Sequence, residues 1–137
     1  MKKSPVVHFE MAYEDPKRAS DFYSKVFGWE MNLLGSEMSN YLLAGTVDVD
    51  EKTQIAKEPG AINGGFYEKS QMSPSGQRVH VVISVDNLDE SLKNAESNGA
   101  KIATKPMEIP GIGMYASIVD TEGNDVGVLQ PAPMPTV

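Results

Sequence analysis

The sequence predicts an α+β fold built from two copies of one strand–helix–strand module within a single domain of residues 1–137. Three observations lead there. The stretch Val6–Glu30, VVHFEMAYEDPKRASDFYSKVFGWE, alternates, turns and then runs at helical spacing, and the same order returns from Val79 as VHVVISVDNLDESLKNAESNGAKI. Setting His8 over His80 sets Asp15 over Asn87 and brings Gly28 and Gly99 within one residue of the same offset. A unit that occurs only twice is too short an array for a solenoid, so a pseudo-symmetric domain is expected. The third observation is size: 137 residues, 40% hydrophobic and 23% charged, suit one globular core. The first module spans about 6–67 and the second about 78–130, with a linker at 68–77 and a tail at 131–137.

Taken in order, Val6–Tyr13 alternates, with Val7, Phe9, Met11 and Tyr13 on one face and His8, Glu10 and Ala12 on the other. Asp15 suits an N-cap and Pro16 the first helical position. Ala19, Phe22, Tyr23, Val26 and Phe27 then form an apolar stripe that Gly28 ends, expected to cover the Val7/Phe9/Met11 face. Trp29–Leu34 and Asn40–Val47 read as strands joined through Gly35–Ser39, and Asp48–Pro59 as a solvated loop. Gly60–Tyr67 reads as a short strand whose Asn63-Gly64-Gly65 centre marks a bulge or a close approach. In the second module Val79, Val81, Ile83 and Val85 form the expected covered face, opposite His80, Val82 and Ser84. Asn87 with Glu90 three residues on resembles a capping box, and Leu88, Leu92 and Ala95 make the buried stripe up to Asn98-Gly99. Lys101–Thr104, Met114–Asp120 and Val126–Gln130 are the remaining strands. Thr121–Asn124 reads as a hairpin turn and Ile109–Gly113 as a loop able to overhang a pocket. The tail PAPMPTV is not expected in a central strand.

Composition narrows the function. A net charge of −7 argues against nucleic-acid or anionic-membrane surfaces. No run approaches the roughly 18 apolar residues of a membrane span, and MKKSP lacks the apolar segment of a signal peptide. Without cysteine there is no disulfide, thiolate metal site or thiol nucleophile. A soluble cytoplasmic protein is expected. Gly111-Ile112-Gly113 does not extend to a dinucleotide fingerprint, since residue 116 is alanine.

The only two histidines, His8 and His80, hold equivalent places on the faces opposite the apolar stripes. This points to one pocket shared by the modules, against the alternative of two polar residues left by duplication. Glu10 lies two residues from His8 on the same strand face, and Asn63 is added to the pocket. As general acids or bases, the expected catalytic set is Glu10, His8 and His80. Tyr41, Tyr115 and Gln130 are candidates for the pocket rim.

The segments HFEM, DPKRASDFYSKVFGWE, INGG, VHVVISVDNLDESL, PMEIPGIGMY and DTEGNDVGVLQ together resemble the vicinal oxygen chelate superfamily of glyoxalases, bleomycin-resistance proteins and extradiol dioxygenases. The resemblance covers Val6 to about Gln130. It implies paired βαβββ modules, with a curved mixed sheet around a central cavity. It also implies a divalent metal held by one ligand on the first and one on the last strand of each module. His8 and His80 fall on the two histidine positions. The two carboxylate positions fall at Gly64, or Asn63 with a bulge, and at Gly127. Glycine has no side chain to coordinate, and two imidazoles alone suit a hard cation poorly. No cofactor is therefore expected; any metal would fall to His8, His80 and Glu10.

Two functions follow. One is a metal-independent isomerase- or lyase-type enzyme acting on a small oxygenated metabolite. The other is a protein that sequesters a ligand as bleomycin-resistance proteins do, in a pocket widened by Gly64, Gly65 and Gly127. The expected assembly is a homodimer, with a small molecule as the other partner and neither nucleic acid nor membrane.

Overall fold

A computed structural model describes residues 1–133. Its elements follow the βαβββ plan twice: β1 (Val6–Tyr13), α1 (Pro16–Phe27), β2 (Glu30–Leu33), β3 (Leu42–Gly45) and β4 (Gly64–Glu68), then β5 (Val79–Ser84), α2 (Leu88–Ser97), β6 (Lys101–Ile109), β7 (Gly113–Val119) and β8 (Asp125–Pro131). Two compact units result, His8–Val79 and Met1–Val7 with the chain from His80 onward. Among the described residues, no helix is long and apolar enough to cross a membrane.

In the unit His8–Val79 the strands run in the order β2-β3-β4-β1. The β1 and β4 strands are parallel, with Phe9 opposite Gly64 and Glu10 opposite Gly65; the other pairings are antiparallel. Asp15 caps α1, its Oδ1 accepting from the Arg18 amide at 3.1 Å. Gly28 ends the helix at φ 71°, a left-handed conformation costly for any residue with a Cβ. The core joins buried Tyr13, Leu42, Ala44 and Phe66 to Phe9, Met11, Ala19, Tyr23, Trp29 and Met31. Only part of the helical stripe reaches it. Ala19 and Tyr23 pack down, whereas Phe22, Val26 and Phe27 remain 52%, 55% and 59% exposed. The stripe is wider than the strip of sheet the helix meets, so its outer residues face away.

The second unit repeats this topology, in the order β5-β8-β7-β6 with β5 and β8 parallel. Asn87 caps α2, accepting from the Glu90 amide at 3.0 Å. The core is Val85, Leu88, Leu92, Ala116 and Val128, joined by Ile83, Met114 and Ile118. Here the expected strand faces need correction. Val79 and Val81 are exposed, and Val82, assigned to the polar face, is 2% exposed. The core that takes in Leu88 and Leu92 of α2 includes Ile83 near the end of β5 and Val85 just after it, while Val82 is buried on the opposite face, beside Gly127.

Two loop expectations also change. β6 runs on through Pro106 to Ile109, with register shifts between Ile102 and Met107. Proline is tolerated because β6 is the last strand in its order. Ile109–Gly113 is consequently a tight hairpin, with the Ile112 amide donating to the Ile109 carbonyl at 2.9 Å, rather than an overhanging loop. Pro131 ends β8 opposite Gly113, so the tail expected outside the sheet contributes its first residue to it. Residues 134–137 of that tail lie outside the described residues.

Candidate functional site

The polar face of β1 carries half-buried His8 and Glu10. Between them stands Tyr41, delivered by the turn before β3, two strands away in the sheet. In that turn Ser39 and Asn40 both adopt positive φ, 55° and 53°, which asparagine tolerates better than most residues. The Tyr13 hydroxyl holds the bend by donating to the Asn40 carbonyl at 2.7 Å. Burial, and after it the charge and hydrogen bond of Glu68, hold the Tyr13 hydroxyl's pKa above the ordinary tyrosine value. The Tyr41 carbonyl accepts from the Leu34 amide at 2.9 Å, fixing the start of β3.

The Tyr41 hydroxyl lies 2.8 Å from His8 Nε2 and donates to Glu10 Oε2, also at 2.8 Å. A phenol has a single proton. Given to Glu10, it leaves the phenol oxygen to accept from His8 Nε2–H, so the polarity of this chain is set: imidazole to phenol to carboxylate.

Gly65 makes this placement possible. A Cβ there would overlap the Tyr41 ring, and the three atoms nearest that position all belong to Tyr41. Gly64 looks the other way: a Cβ on it would enter the Phe9 ring, on the face where Phe9 meets Trp29 at 5.7 Å between centroids. The glycine on the Glu10 face is therefore Gly65, and Gly64 belongs to the apolar core. The second unit has the same device. Gly127 pairs with Val82, two residues after His80, as Gly65 pairs with Glu10, two after His8. A Cβ on Gly127 would stand 2.7 Å from the Tyr115 hydroxyl and 3.0 Å from Val82. Neither glycine widens a pocket, since tyrosine rings fill both spaces. Val82 takes the place of Glu10 on β5, and a buried carboxylate, Asp125, opens β8 two residues before Gly127.

Two other candidates have structural work. Asn63 Oδ1 accepts from the Thr46 and Val47 amides at 2.7 and 3.1 Å, tying the end of β3 to the start of β4. Gln130 Oε1 accepts from the Leu88 amide at 2.9 Å, satisfying a donor at the first turn of α2. Two hollows open elsewhere on the first unit. One of about 360 Å³ is lined by Tyr13, Arg18, Phe22 and Arg78, and one of about 570 Å³ by Glu30, Asp48, Glu58 and Asn63.

The candidate ligands that β1 offers a divalent metal are His8 and Glu10. Among the described residues, no three histidine, aspartate or glutamate side chains are grouped to hold one. On β1 a phenol already spans the imidazole and the carboxylate. Tyr41 was legible only as a rim residue, because no local pattern links it to β1. The available signal was Gly64-Gly65 itself, a gap in one strand that calls for a large side chain from its neighbour.

Comparisons with known proteins agree with the fold. The model of the Glyoxalase/Bleomycin resistance protein/Dioxygenase superfamily matches residues 6–128. "Putative glyoxylase CFP32" of Mycobacterium tuberculosis is 28% identical over 124 residues, 90% of this chain and 43% of that protein. The chain thus spans less than half the length of the curated relatives it matches. Methylmalonyl-CoA epimerase from Mycobacterium tuberculosis has TM-score 0.67 at 16% identity, covering 97% of this chain and 93% of that one. The hypothetical protein BH1468 from Bacillus halodurans C-125 has TM-score 0.69 at 15% identity, covering 99% and 100%.

Proposed function

From the premise that this chain belongs to the Glyoxalase/Bleomycin resistance protein/Dioxygenase superfamily, we propose that it is a metal-independent isomerase- or lyase-type enzyme moving a proton beside a carbonyl group of a small oxygenated metabolite. The observation that carries this is the hydrogen-bonded series His8–Tyr41–Glu10. Glu10 is the base: its carboxylate takes a proton from the carbon next to the carbonyl, and the electron pair moves to the carbonyl oxygen to give an enolate. The Tyr41 hydroxyl steadies the carboxylate through Oε2, and His8 steadies the phenol. Return of the proton to the other face or a neighbouring atom completes an isomerisation, and loss of a leaving group completes an elimination. Solved structures of similar fold include proteins named methylmalonyl-CoA epimerase, and at such low identity they support the fold alone. The assembly in this reading is a homodimer, supported by the exposed apolar residues Phe22, Val26 and Phe27.

The test is solvent exchange. Small ketones, aldehydes and hydroxy acids are incubated with the protein in D₂O, and deuterium uptake at the carbonyl-adjacent carbon is read by NMR. The wild type is expected to exchange at least one compound class, and Glu10→Gln to slow this roughly 10²–10⁴-fold. Ligands that shift the melting temperature without exchanging would replace the enzyme with a sequestering protein.

A further inference from the structure

We infer that the Tyr41 hydroxyl fills a latent divalent-cation site, so that the Tyr41/Gly65 pair is the determinant that keeps this cluster metal-free. The inference deepens the metal-independent part of the proposed function and rests on it. A cation bridging His8 Nε2 and Glu10 Oε2 would stand about 2.0–2.2 Å from each. The phenol oxygen stands 2.8 Å from both, a hydrogen-bonding rather than a coordinating separation. It holds the intervening position, and its proton supplies the positive end of the dipole facing Glu10. Gly65, opposite Glu10 in the pairing, is the residue on which a third ligand would have to stand, and the Tyr41 ring covers it. Phenol and third ligand are mutually exclusive: a side chain at residue 65 expels the ring, and the ring forbids the side chain. The backbone itself is permissive, because Gly65 is not among the glycines with positive φ. The three atoms nearest a Cβ there all belong to the ring.

The exchange also sets charge. A cation would add two positive charges beside an imidazole and a carboxylate; the phenol adds none. The cluster therefore offers Glu10 as a base without placing a cation's charge beside it.

The experiment removes the ring and adds the ligand. Tyr41→Ala with Gly65→Glu presents one imidazole and two carboxylates, a set that suits manganese or zinc with water completing the shell. Calorimetric titration with MnCl₂ and ZnCl₂ at neutral pH is expected to show at least tenfold tighter binding to this variant than to the wild type. Adding His8→Ala to the variant should abolish the gain. Folding is checked by circular dichroism. If the double variant does not fold, Tyr41→Ala alone must still bind Zn²⁺ more tightly than the wild type, since it uncovers His8 and Glu10. Wild-type binding as tight as the variant's would overturn the inference, as would a folded variant without gain. These readings need no substrate. A failed exchange assay would sink the proposed function while leaving the cation result standing, and tight wild-type metal binding would remove only the metal-independent part of that function.

Discussion

At the scale of single residues, the hydrogen-bonded series makes separable predictions. Tyr41→Phe keeps the ring over Gly65 but removes the hydroxyl, so stability should hold while the exchange rate falls about tenfold or more, the worth of one hydrogen bond to a charged group. The check is the rate measured alongside the melting temperature; equal rates would leave Tyr41 a packing residue. Tyr13→Phe tests the bend that delivers Tyr41. The buried hydroxyl bonds the Asn40 carbonyl, and its loss should cost about 1–3 kcal/mol in urea unfolding. The tyrosine also carries a pH signature. Its folded pKa is raised, so the folded state binds that proton more tightly than the unfolded chain. The stabilisation is fully present below the ordinary tyrosine range near pH 10 and is lost as pH rises through the higher folded value. Urea midpoints between pH 9 and 11 should therefore fall more steeply for the wild type than for Tyr13→Phe. His8 and Glu10 were legible as neighbours because strand alternation puts them on one face. Tyr41 was not, because nothing in YLLAG announces the left-handed pair Ser39-Asn40 that aims it.

Among the elements, the helices were the most legible. Asp15, Pro16, Gly28 and Asn87 each stand where capping chemistry requires. Strand faces were read less well, and β5 shows why. VHVVISV puts four apolar residues on one face and only Val82 on the other, so a period of two selects the Val79/Val81 face, whose first half the structure leaves exposed. The register of β4 was likewise hidden in two adjacent glycines without side chains to alternate. The connection from β3 to β4 gives the test at this scale. Asn63 serves two backbone amides with one carbonyl oxygen, so Asn63→Ala should destabilise by about 1–3 kcal/mol. Asn63→Asp, which keeps an acceptor, should recover most of this in the same urea titration.

For the whole molecule, duplication has left two unequal halves. Both place a tyrosine over a glycine, but the unit His8–Val79 has Glu10 at the position where the other has Val82. The exposed face of α1 bears on assembly. Light scattering at micromolar concentration is expected to give about twice the 14.9 kDa of one chain, and Phe22→Ser with Phe27→Ser should return it to one; a wild-type monomer would remove the dimer from the proposed function. The packing around Trp29 has a practical consequence of another kind. It is the only tryptophan in the chain, stacked on Tyr23 at 4.8 Å and close to Phe9, whose backbone neighbours are His8 and Glu10. Its emission is thus an optical label confined to the half that carries the proposed chemistry. Circular dichroism sums both halves and fluorescence reads one, so the two melting curves separate if the halves unfold independently and coincide if they unfold together.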